Sequence, residues 1–296
     1  MRLYSSVIRL LNLHPVTIAP PGGGHAHGAF FDIVERVDPA LSQALHDIEG
    51  KGARKPFTVS PIMGLPRHLH HEGHKGREGS PKGEIFLREG WACWLRVTIL
   101  DEHLFRLFIA YFLDGNGKEM PKIRLGDAHF AVSEILTTPG SHPWAGFTTL
   151  SDLQKRLDAP PPQSIMLEFH SPTSFSLGKK EAQSKETIEI NLYPRLVFGN
   201  LATAWKALTG EDVREAVEKY AEANLRYTPH RLVRDSLTLK NHPQLGMKGR
   251  VEYQFIHPED TPAARAIHLL ADLAFYTGVG RKTTQGMGQT RRLPTP

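Results

Sequence analysis

Apolar residues along the chain fall into short alternating runs, separated by runs at helical spacing. Residues 4–11 alternate loosely and carry Val7, Ile8, Leu10 and Leu11, the pattern of a strand with one buried face. Ala19-Pro-Pro-Gly-Gly-Gly24 is a clear break, after which Phe30, Ile33, Val34 and Val37 recur at helical spacing. Asp38-Pro39 restarts a helix, with the aspartate as N-cap and the proline at the first helical position. Leu41, Ala44, Leu45 and Ile48 form its inner face, and Gly50 is the expected stop. Residues 55–62 predict a strand with Phe57 and Val59 on one face, and 64–83 a loop rich in Gly, His and charge. A strand at 91–100, a helix at 102–113 and a closing strand at 130–136 complete the order β-α-β-β-α-β, the split ferredoxin-like unit.

Pro/Gly-rich passages at 139–146 and 158–162 surround the expected domain boundary, and the order of elements then recurs. It runs through a strand at 164–169, with 188–190 extending it or pairing with it. Helices follow at 194–208, where Phe198, Leu201 and Trp205 align, and at 211–223. Strands at 230–239 and 249–257, a helix at 260–275 and a last strand through 286–293 close the chain. The fold class is therefore α+β: two tandem ferredoxin-like domains side by side, residues 1–145 and 146–296. A chain of 296 residues, 40% hydrophobic and 23% charged, suits two domains with real cores.

Charge adds a direction. The formal net charge is +5, and residues 51–88 account for all of it, with eight Lys/Arg against three Glu. The remainder is neutral, yet 276–296 carries Arg281, Lys282, Arg291 and Arg292 with no acid. Two basic patches on a near-neutral body point to a polyanion surface. Cys93 is the single cysteine, which leaves no internal disulfide and no cysteine-based zinc site. The uncharged stretch 10–31 is interrupted by Pro, Gly and His, so it is no membrane span, and the expectation is a soluble, cytoplasmic protein.

The most specific stretch is Gly278-Val-Gly-Arg-Lys-Thr-Thr-Gln-Gly-Met-Gly288, in which four glycines bracket Arg281, Lys282, Thr283 and Gln285. Glycines let a chain turn at positive φ and bring backbone N–H groups close to a partner, and successive N–H groups make an anion site. Gly278, Gly280, Gly286 and Gly288 with the two cations are thus a candidate phosphate grip. The stretch lacks the Gly-Lys-Ser/Thr ending of a nucleotide-triphosphate loop and follows a helix instead of opening one, so a polymer surface fits better than a mononucleotide fold.

These features resemble the CRISPR-associated endoribonucleases that cut repeat RNA into guide units. The glycine-rich loop sits where that family has its own, before the last strand of the second domain. Leu167-Glu-Phe-His-Ser-Pro-Thr-Ser-Phe175, Tyr193-Pro-Arg-Leu-Val-Phe198 with Trp205, and Ala44-Leu-His-Asp47 with Lys55-Pro-Phe-Thr-Val-Ser-Pro61 are similar to family segments. The resemblance spreads over nearly the whole chain. It implies ferredoxin-like (RRM-like) domains, CRISPR repeat RNA as partner in precursor and processed forms, and no cofactor or metal. A homodimer and transfer of the guide RNA to an effector complex are compatible with it.

RNA carries its own nucleophile, the 2′-hydroxyl, so cleavage needs proton transfer and charge stabilisation. Histidine suits the first and Lys or Arg the second. His46 is followed by Lys51, Arg54 and Lys55, and lies one position off the inner face of its helix. The expected products are a 2′,3′-cyclic phosphate and a 5′-hydroxyl. Many relatives carry a tyrosine or second histidine on the first helix where this chain has Phe31; His27 or His25 is the available substitute. Arg231, Arg234, Lys240, Lys248 and Arg250 lie on or beside strands of the second domain and are candidate stem contacts. His68, His70, His71 and His74 offer a competing metal reading without an established ligand spacing. A non-catalytic RNA-binding subunit is the other alternative, with Phe31 as its support.

Overall fold

A computed structural model of the chain describes residues 1–18, 23–48, 54–66, 85–113, 121–179, 186–239, 242–256 and 261–294. In order these form β1 (Arg2–Asn12), β2 (Val16–Ile18), α1 (Gly23–Val37), α2 (Pro39–His46), β3 (Phe57–Val59), β4 (Ile85–Leu87), β5 (Ala92–Ile99) and α3 (Glu102–Leu113). Then come β6 (Lys122–Leu125), β7 (Ala128–Leu136), β8 (Gly146–Thr149), α4 (Leu150–Gln154), β9 (Ser164–Thr173), β10 (Phe175–Lys179) and β11 (Glu186–Glu189). The chain ends with α5 (Pro194–Thr209), α6 (Arg214–Asn224), β12 (Leu225–Leu239), β13 (His242–Phe255), α7 (Pro262–Thr277) and β14 (Thr290–Leu293). No helix among the described residues is long and apolar enough to cross a membrane.

The first sheet has the order β3-β5-β1-β7-β6 and the second β12-β13-β9-β14. Within each, the four strands of the β-α-β-β-α-β unit lie in the ferredoxin-like order, so the tandem ferredoxin-like architecture is the observed one. Each unit has its own core: Phe30, Phe57, Phe108 and Phe130 in the first, Phe169, Phe198, Trp205 and Tyr253 in the second. Asp38 caps α2 as its sequence requires, its carboxylate accepting from the Leu41 amide at 2.9 Å.

Several elements differ from the sequence pattern. β8 pairs with β1, Arg2 opposite Thr149, so the first sheet continues past residue 145. Residues 186–189 pair with β10 and not with β9. The two expected strands of 230–257 are one long hairpin, β12–β13. Residues 286–289 belong to the glycine-rich loop, and the last strand begins at Thr290. Finally, α1 begins inside the glycine run, at Gly23.

Candidate active site

The glycine-rich loop carries its conformation in its glycines. Gly278, Gly280, Gly286 and Gly288 all have φ between 62° and 97°, the left-handed region where a Cβ is strained. Lys282 shares that region at φ 55°, a non-glycine outlier of the kind found at functional turns. From Gly278 to Arg281, and again from Met287 to Gln289, every amide donates inside the protein; examples are Gly280 N to Asn200 Oδ1 (2.8 Å) and Gly288 N to Pro172 O (3.1 Å). The picture of an open cradle of loop amides therefore needs correction. These amides set the loop's shape; Thr283 is itself buried against Gly278 and Gly288, so outward contacts fall to side chains such as Arg281. Arg281 reaches Gln244 Oε1 at 3.4 Å and Glu186 Oε2 at 3.7 Å, both long contacts.

The loop docks on the N-terminal unit through the start of α1. Gly23 and Gly286 touch backbone to backbone, and a Cβ on Gly23 would lie 1.8 Å from the Gln285 carbonyl oxygen. One turn further along α1, His27 Nδ1 lies 2.7 Å from the Thr284 carbonyl oxygen. A carbonyl only accepts, so Nδ1 carries the proton, and in the neutral ring Nε2 holds the lone pair.

Four residues after His27, Phe31 presents its ring on the same helical face. It meets His27 edge-on at 4.9 Å and stacks under His46 at 3.8 Å with 22° between planes. His46 is the last residue of α2 and is exposed, not turned into a sealed core. Lys55 completes the group. Its ammonium lies 5.8 Å from the Phe31 ring centre and donates to the carbonyls of Leu45 and, at 3.1 Å, His46. A cation capping the C-terminal carbonyls of a helix satisfies orphan acceptors and the helix dipole together. Two imidazoles and an ammonium thus surround one aromatic floor.

Arg54 takes a different place from Lys55. Its guanidinium points at the second unit, donating to the Thr277 carbonyl at 2.7 Å and the Gly278 carbonyl at 3.4 Å. Burial lowers its pKa to about 10, so it stays charged at neutral pH. It holds the root of the glycine-rich loop. Arg231 and Arg234 are exposed on β12 and Lys248 pairs with Asp235 at 3.3 Å on β13, so these cations line the long hairpin and not the histidine cluster. Arg231 sits at φ 52° where the hairpin register shifts. Lys51, Lys240 and the histidines at 68–74 lie outside the described residues. Gly23 and the Thr284 carbonyl were not singled out by sequence. The one available signal was the glycine run ahead of the expected helix, of which Gly23 is the middle residue.

Comparison with known proteins follows the same outline. Residues 2–155 match the model of the CRISPR Cas6 N-terminal domain, and residues 167–290 that of the CRISPR-associated endoribonuclease Cas6. Among solved structures, a Thermus thermophilus Cas6 product complex is similar at 28% identity and a TM-score of 0.75, covering 98% of this chain and 100% of that one. A second Cas6 product complex is similar at 25% identity and 0.65, covering 99% and 100%. A RAMP protein described as binding different RNA substrates shares the fold at 14% identity and 0.61, covering 98% and 100%. No curated protein sequence matches. With models of one family matching both halves, the chain belongs to the Cas6 family of CRISPR-associated endoribonucleases.

Proposed function

We propose that this chain cuts CRISPR repeat RNA without a metal, by attack of a 2′-hydroxyl on the adjacent phosphate. The observation that carries the reading is the exposed His46 ring stacked on Phe31, beside the Lys55 ammonium and across from a His27 held by the glycine-rich loop. His46 transfers a proton and His27 is the second proton-handling ring. Phe31 takes no proton; it fixes the planes of both histidines. Lys55 offsets the charge that builds on the phosphorane. Arg54 holds the loop instead of meeting the scissile phosphate. Arg281 and Lys282 face the RNA chain, and the hairpin cations Arg231, Arg234 and Lys248 grip it further out. Similar Cas6 proteins have been solved with product and with a substrate mimic, and one as a histidine-to-alanine mutant.

The chemistry balances without a cofactor. The 2′-oxygen loses its proton to a base and bonds phosphorus, the 5′-oxygen leaves with a proton from an acid, and the ends are a 2′,3′-cyclic phosphate and a 5′-hydroxyl. The test is repeat RNA from the array beside the gene, incubated with protein in EDTA. Cleavage giving those ends, and lost in His46→Ala with RNA binding retained, is expected. Undiminished cutting by His46→Ala would remove His46 from the mechanism. Binding without cutting would make the protein a guide-RNA-holding subunit, and activity abolished by EDTA would require a metal.

A further inference from the structure

We propose that the cavity between the interdomain connection and α7 is a second nucleotide subsite, taking one aromatic base with its phosphate. It measures about 490 Å³ and is lined by Phe147 of β8, Lys155 and Arg156 of the connection, Asp272 and Tyr276 of α7, and Arg292 of β14. That volume holds one nucleotide. None of these residues belongs to the group around His46.

The polar geometry is that of a prepared anion site. Asp272 gives one carboxylate oxygen to each of two guanidiniums: Oδ2 to Arg156 Nε at 2.7 Å and Oδ1 to Arg292 Nη1 at 3.1 Å. Arg292 Nη1 also faces His268 Nδ1 at 2.9 Å. Both forks are thereby fixed in direction. Both terminal amino groups of Arg156, and Nε and Nη2 of Arg292, have no partner among the described residues. An oriented guanidinium with free N–H groups is the geometry that binds phosphate bidentately. Lys155 adds a third cation, paired at 2.7 Å with the exposed Asp152.

Two further features face the cavity. Tyr276 is 8% exposed, and its hydroxyl, which makes no hydrogen bond among the described residues, opens onto the cavity rather than into the core. A phenol hydroxyl held at a cavity wall can donate to or accept from a ligand there. At the rim, the Phe147 ring is 43% exposed, with the Arg2 guanidinium 6.0 Å from its centre. A ring facing water beside cations is a stacking platform for a base. A salt bridge serving only to join α7 to the connection needs neither the unpartnered phenol nor the exposed ring.

The nucleotide has two sources, a segment of bound RNA, which rests on the reading above, or a free mononucleotide, which does not. The experiment compares the full-length chain with Tyr276→Phe and Arg156→Ala. One arm measures the dissociation constant of repeat RNA and maps crosslinks from 4-thiouridine in it; the other titrates AMP calorimetrically. Tyr276→Phe removes a hydroxyl without a protein partner, so its urea midpoint should equal or exceed wild type, and lost binding cannot be ascribed to unfolding. If Arg156→Ala fails to fold, Tyr276→Phe alone decides.

An RNA-derived nucleotide predicts affinity weakened about fivefold to tenfold per variant, an unchanged cleavage rate at saturation, and a crosslink to the peptide containing Phe147. A free nucleotide predicts AMP binding that Tyr276→Phe weakens while RNA affinity stays put. Wild-type RNA affinity in both variants together with no AMP binding would overturn the subsite. A wild-type chain that binds no RNA at all would refute the proposed function instead, and the AMP arm would still decide the subsite.

Discussion

Replacing Gly23 by alanine tests whether the loop must sit against α1 for the site to exist. In isolation the change favours the helix, since alanine is better than glycine in a helix by about 1 kcal/mol. The new Cβ, however, would lie 1.8 Å from the Gln285 oxygen, 2.2 Å from its carbon and 2.6 Å from Gly286 Cα. These are backbone atoms, and the loop is held on both sides by its own amides and by Arg54. The two units must therefore part locally by about 1 Å or more, which breaks the 2.7 Å contact between His27 and Thr284. A misplacement of that size costs about 100-fold in rate, while both hydrophobic cores are untouched. The assay is single-turnover cleavage of repeat RNA at saturating protein, with urea unfolding measured alongside. Gly24→Ala is the control, since nothing lies within 4 Å of its added Cβ, and it should cut like wild type. A folded Gly23→Ala protein cutting at the wild-type rate would refute the coupling.

Two further predictions test other parts of the site and fold. Arg54→Ala should destabilise the protein by about 1.5–3 kcal/mol, the range for a hydrogen bond from a charged group, and should slow cleavage through the loosened loop; unchanged unfolding and unchanged cutting would show that the Thr277 contact is idle. Burial, with Arg292 beside it, draws His268 from 6.5 to about 4. The native ring stays neutral while the unfolded chain takes up a proton near 6.5, so stability is full above pH 6.5, falls as pH drops toward 4 and levels off below. The loss across that window is about 3 kcal/mol. Urea midpoints at pH 7.5 and 4.5 should show a smaller drop in His268→Gln than in wild type, and parallel drops would contradict the assignment.

Much of the scaffold was readable because local chemistry and packing agreed. The helix at Glu102–Leu113 and the Asp38-Pro39 start of α2 carry their signals within a few residues. The two β-α-β-β-α-β orders followed from a change of period alone. What escaped depends on distant partners. β8 is a strand because Arg2 to Ser5 lie beside it, more than a hundred residues earlier in sequence. Ala19-Pro-Pro-Gly-Gly-Gly24 reads as a break, yet its next-to-last residue, Gly23, opens a helix and admits the Gln285 carbonyl. His46 was singled out from the family resemblance together with its basic neighbours, whereas the separation of Arg54, which points at the second unit, from Lys55, which caps α2, was not foreseen. Arg54 and Lys55 both lie in irregular backbone ahead of β3, and which of them meets the second unit is a tertiary fact.

The same limit explains the least expected residue of the fold. Alternation in β5 sends Cys93, Leu95, Val97 and Ile99 to the core and assigns Arg96 to the other face, where water would be the default. The second unit covers that face, and Arg96 is 1% exposed with no ion pair among the described residues. An unpaired buried cation costs several kcal/mol unless its N–H groups are satisfied. Arg96 donates to Ser5 Oγ at 2.8 Å and the Trp144 carbonyl at 3.2 Å on one side. On the other it reaches Gln289 Oε1 at 2.8 Å and the Phe275 carbonyl. The Trp144 and Phe275 rings lie 5.0 and 4.4 Å from its guanidinium carbon. Burial lowers its pKa to about 9, which still leaves it charged at neutral pH. Because these acceptors come from both units, the cation is satisfied only when the units are docked, and a partly opened interface leaves it stranded. Gln289 also donates to the Val59 carbonyl at 3.1 Å, so the end of the glycine-rich loop is pinned to the strand that follows Lys55. Docking is thus close to all-or-none, and the proposed site, which takes His46 and Lys55 from one unit and the loop that holds His27 from the other, gains its rigidity from a charge placed between them.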